Sequence, residues 1–133
     1  MVVPWEVDIT APATAAPGET VSVGVSLHYP CAGPFGTGPF PTFPASDVSI
    51  QLIVRDGNGQ PLGVTRVCVG SMLAGGSREA TFTVVAPDSH ATLSLEAWGT
   101  GMVSGHLDVW NDYAAYDYSD MIGGSASWTL EVS

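Results

Sequence analysis

From Gly18 to Leu27 the chain alternates without a break, with Val21, Val23, Val25 and Leu27 on one side and Thr20, Ser22, Gly24 and Ser26 on the other. A period of two held over that length describes a strand with one buried face, and a slip of one residue would turn the whole apolar set into water. The same signature returns along the chain. Trp5, Val7 and Ile9 alternate in Trp5 to Thr10, and Val48, Ile50, Leu52 and Val54 in Asp47 to Asp56. Leu62 to Val69 follows as a hairpin partner, because Asp56-Gly-Asn-Gly59 accepts the positive φ angles of a tight turn. Ala80, Phe82 and Val84, then Leu93, Leu95 and Ala97, then Trp128, Leu130 and Val132 mark three more strands, in Glu79 to Ala86, Thr92 to Trp98 and Ser125 to Val132. No window carries the 3.6-residue period of a helix.

Two stretches break the pattern and are expected to be long loops. Pro30 to Ser46 is crowded with proline and glycine, which forbid ladder hydrogen bonding over most of its length. Gly99 to Gly124 is rich in glycine, aspartate and tyrosine. Seven short alternating segments separated by turns predict an all-β fold, a seven-stranded antiparallel immunoglobulin-like β-sandwich formed by residues 1–133 as one domain. In that topology the loops after the second, fourth and sixth strands, here Pro30 to Ser46, Gly70 to Ser77 and Gly99 to Gly124, leave from one pole. Loops on a rigid scaffold carry function, so that pole is the candidate site.

The order of motifs resembles the CARDB-like branch of immunoglobulin-like domains. The resemblance rests on a Pro-Gly-Glu-Thr lead into a long alternating strand (Pro17 to Leu27) and on a Leu-Ala-Gly-Gly-Ser turn (Leu73 to Ser77) ahead of a Thr-Phe-Thr-Val strand (Thr81 to Val84). Where such domains commonly turn with Asn-x-Gly after the second strand, this chain has His28-Tyr-Pro-Cys31. The resemblance implies a structural or adhesive module, as found on virion surfaces, with no catalytic residues to carry over.

Charge narrows the partners. The net charge is −10, and the three basic residues are all arginine: Arg55, Arg66 and Arg78. A nucleic-acid surface needs clustered Lys or Arg, and an anionic bilayer repels this chain, so neither is an expected partner. A lysine-free acidic surface suits high salt, where self-repulsion is screened to about 3 Å at 1 M, against the alternative that the charge serves solubility alone. The start, Met-Val-Val-Pro-Trp-Glu, has no basic residue and no apolar run, so no signal peptide or membrane insertion is expected. The expected setting is a virion assembled in the cytoplasm, the chain acting as a head decoration or tail protein of a halophile's virus.

Candidate chemistry lies on the two long stretches. Cys31 and Cys68, the only cysteines, both fall near the loop-rich pole. A bridge between them would stabilise by about 4 kcal/mol on the chain-entropy argument, and the alternative is two reduced, packed thiols. Asp108, Asp112, Asp117 and Asp120 offer oxygen ligands to Ca²⁺ or Mg²⁺, against the alternative of a solvated acidic loop. His28, His90 and His106 are scattered without a triad pattern, so no enzyme is expected. Phe35, Phe40 and Phe43 on the first stretch and Trp110, Tyr113, Tyr116 and Tyr118 on the second suit a protein interface, whether in a homo-oligomer or a capsid or tail assembly. The alternatives are a carbohydrate-binding or adhesion module in which the same rings stack on a glycan, and a loop tucked over the end of the sandwich by its own aromatics.

Overall fold

The structure, a computed structural model, describes residues 5–30, 45–73, 75–108 and 115–133, with side chains throughout except at 103–122. Among these residues the chain forms eight strands and no helix: β1 Glu6–Thr10, β2 Thr14–Ala15, β3 Thr20–His28, β4 Ala45–Arg55, β5 Pro61–Met72, β6 Ser77–Val85, β7 Ala91–Asp108 and β8 Ala115–Val132. They form two sheets, β1-β3-β6 and β2-β8-β7-β4-β5. One core lies between them, so the architecture is that of a β-sandwich.

The alternation in the sequence decides which faces meet. Val21, Val23, Val25 and Leu27 of β3 are buried, opposite Val48, Ile50, Leu52 and Val54 of β4 and Leu93, Leu95 and Ala97 of β7. Leu130 and Val132 of β8 join them, with Phe82 and Val84 of β6. The hairpin turn forms at Asp56, whose Oδ1 accepts bonds from the amides of Asn58 and Gln60, each 2.9 Å, while Gly59 takes φ +81°. A bulge near the start of β4 puts Asp47 at φ 52°, and Ser49 beside it is buried with its hydroxyl 3.3 Å from that of Thr100 on the neighbouring strand.

Three expectations are corrected. The count is eight strands, because Thr14–Ala15 inside the expected connection pairs with the end of β8. That pairing is parallel, so the larger sheet is mixed and not purely antiparallel. The third correction is the largest. Gly99 to Asp108 and Ala115 to Gly124 are strand and not loop: β7 and β8 run eighteen residues each and pair antiparallel from Ala91↔Val132 to Asp108↔Ala115. The glycines that read as turn signals are close-approach positions. A Cβ on Gly99 or Gly101 would enter the Leu27 side chain or the Trp5 ring, and one on Gly124 would enter the Trp5 carbonyl.

Candidate functional site

The ends of β3, β5 and β6 gather at one pole. The Tyr29 amide donates to Gly76 O at 3.0 Å and Tyr29 O accepts from Gly75 at 2.7 Å, tying the exit of β3 to the β5–β6 turn. Ala45, the first residue of β4, pairs with Met72 of β5 on one side and Val103 of β7 on the other. Under this rim Trp5 and Tyr29 are buried with ring centroids 5.3 Å apart, and the Trp5 Nε1 has no acceptor among the described residues. Arg78 fastens the same corner by donating to Ser71 O at 2.7 Å and to Ser77 O at 2.9 Å.

From this rim the β7–β8 hairpin continues outward. The last β4 partner of β7 is Val103, opposite Ala45, yet β7 and β8 stay paired through Ser104↔Ser119, Gly105↔Tyr118, His106↔Asp117, Leu107↔Tyr116 and Asp108↔Ala115. Five further pairs at about 3.4 Å per residue make a two-stranded ribbon that extends roughly 17 Å beyond the four-strand region. Asp108, Asp117, Asp120, Tyr116 and Tyr118 therefore stand on strands and not on an open loop, with Asp117 opposite His106 and Asp120 opposite Val103.

The other expected site residues lie outside the described residues: Cys31, Phe35, Phe40, Phe43, Trp110, Asp112 and Tyr113. Cys68 is exposed on β5. Among the described residues no group of three His, Cys, Asp or Glu side chains is placed to hold a metal ion. His28 Nδ1 lies 2.9 Å from the Ser77 hydroxyl, and His90 is exposed in the turn before β7.

A second feature was not foreseen. Between β5 and β6 the sandwich is open along one flank, where a groove of about 280 Å³ is lined by Leu52, Val54, Gly63, Thr65, Phe82 and Leu93 among others. The cause is the orientation of β5. Its register against β4 sets Gly63 opposite Val54 and Thr65 opposite Leu52, so small residues face the core. Leu62 and Val64 are on the surface, each 56% exposed, and Val85 of β6, 66% exposed, lines the same groove as Leu62. The only signal of this in the sequence is the weak inward set Gly63, Thr65 and Val67. No helix among the described residues is long and apolar enough to cross a membrane. No protein-family model matches the sequence, and no curated protein is similar to it.

Proposed function

We propose that the chain is a non-enzymatic, immunoglobulin-like assembly module on the outside of a virus particle, and that its hairpin-bearing pole docks on a neighbouring structural protein. The observation that carries this reading is the ribbon: five residue pairs of β7 and β8 project past the start of β4, on a base fixed at Tyr29, Gly75 and Gly76. A paired ribbon holds its shape before docking, which lowers the ordering entropy lost on contact. The immunoglobulin-like assignment is supported by the strand order, with a three-stranded sheet facing one in which the early strand β2 runs parallel to the last. The particle setting and the salt-rich host rest on composition, a net charge of −10 without lysine.

The test is imaging of particles from the producing culture with an antibody to this chain, alongside a variant in which an Asn-Gly turn replaces residues 105–118. Wild type is expected on the particle surface. The shortened variant is expected to melt as wild type does and to be missing from particles. A chain that never appears on particles, or a shortened form retained there, ends this reading.

A further inference from the structure

The free edge of β5 is long, weakly charged and apolar. β5 is the last strand of its sheet, runs twelve residues from Pro61 to Met72, and has no strand paired on its outer side among the described residues. Proteins ordinarily blunt such an edge with several charges, bulges or a covering segment; here register shifts at Leu62 and Val69 interrupt the two ends of β5, and Gly63 to Cys68 between them stays regular with one charge, Arg66. Here the outward row is Leu62, Val64, Arg66 and Cys68, and exposed Val85 of β6 lines the groove with Leu62. No carboxylate occurs anywhere in Pro61 to Met72, although the chain carries thirteen. The three arginines stand on β4, β5 and β6, the strands that border this flank.

We infer that β5 is a homotypic interface: a second copy of this chain adds its own β5 antiparallel to the first across a two-fold axis, joining the two larger sheets into one. Charge distribution selects this occupant. Two copies each carrying −10 repel wherever their carboxylates meet, and the β5 edge is a long strand that brings none. An identical strand is self-complementary under a two-fold axis, so one edge supplies both halves of the contact. The size is that of a weak, transient dimer. The regularly paired stretch Gly63 to Cys68 spans roughly 20 Å at about 3.4 Å per residue and covers a strip about 10 Å deep, so the two copies bury on the order of 400–500 Å², below a standard interface.

The edge is independent of the hairpin pole, so the two surfaces can be tested separately. The experiment is sedimentation equilibrium of the full chain over micromolar to millimolar concentration, in reductant so that Cys68 cannot crosslink copies, at 0.1 M and 2 M NaCl. A monomer–dimer equilibrium is expected, tighter at 2 M because salt screens the repulsion between copies. Val64→Lys and Val64→Asp, opposite in sign, should each weaken it at least tenfold with unchanged thermal unfolding, while the variant lacking residues 105–118 should dimerise as wild type does. Hydrogen exchange should slow at β5 amides on dimerisation. A chain that stays monomeric at millimolar concentration in 2 M salt overturns the inference. So does a dimer indifferent to both Val64 variants, or a monomer whose β5 edge instead takes up an added extended peptide.

Discussion

The two flanks of the sandwich are built in opposite ways. On one, the segment from Trp5 to Ala15 starts in the smaller sheet as β1, crosses at Ala11 to Ala13, and enters the larger sheet as β2, so it lies along the outer side of β8. Trp5 N donates to Gly123 O at 3.3 Å, Glu131 N to Ala13 O at 3.0 Å, Ser133 N to Ala15 O at 3.0 Å, and the Trp128 indole to Pro12 O at 3.1 Å. On the other flank β5 and β6 part, and the core residues Leu52, Val54, Phe82 and Leu93 line a groove. The glycines register the contrast. A Cβ added at Gly124 on the closed flank would enter the Trp5 backbone, and one added at Gly63 on the open flank meets nothing within 4 Å. An edge covered by the chain itself is protected from strangers, and an edge left open is available to them.

The strongest challenge to this contrast is Gly124→Val. Its side chain must displace the Trp5 backbone from β8, and the cost is expected at about 3 kcal/mol in urea unfolding, with increased exchange of the Trp5 amide. A loss below about 0.5 kcal/mol would show that the closed flank is not tightly packed. Next is Trp128→Phe, which removes the bond to Pro12 O and should cost about 1 kcal/mol on the same measurement. Gly63→Val has the opposite sign. It adds apolar surface to the groove and removes a flexible residue from a strand, so a gain of about 0.5–1 kcal/mol is expected. Destabilisation there would mean that the groove does not accept a side chain. The smallest effect is Leu62→Thr, an exposed substitution expected within about 0.5 kcal/mol of wild type in stability.

The parts of the fold legible in the sequence are those where side-chain burial follows backbone period. β3 and β4 alternate because one face of each meets the core, and Asp56 to Gly59 is readable because its turn chemistry is local. The parts that were missed are held by backbone alone. β2 is two residues fixed by bonds to Ala13 and Ala15 carbonyls, which need no particular side chains. The inner half of the β7–β8 extension has glycine where Leu27, Trp5 and neighbouring backbone come too close for a Cβ, and glycine in a sequence reads as a turn. The candidate pole was legible as a place, from the order of strands, but its acids and tyrosines were assigned to a loop when several belong to paired strands. The β5 flank left only the small inward residues Gly63 and Thr65 as a trace, because Leu62 and Val64 alternate just as buried residues would, and only the register against β4 turns them outward.

The crossing segment also fixes how the molecule carries tension. Trp5 lies beside Gly123 and Ala15 beside Val132, so the segment and β8 run in the same direction with the two ends of this stretch at opposite poles. A force applied between Trp5 and Ser133 pulls the two strands along each other's length, and the bonds at Gly123, Glu131 and Ser133 bear it together in shear and do not open one at a time. A module in this geometry resists being drawn out along its long axis, and it would yield far more easily if the same load were applied across the β5 and β6 edges.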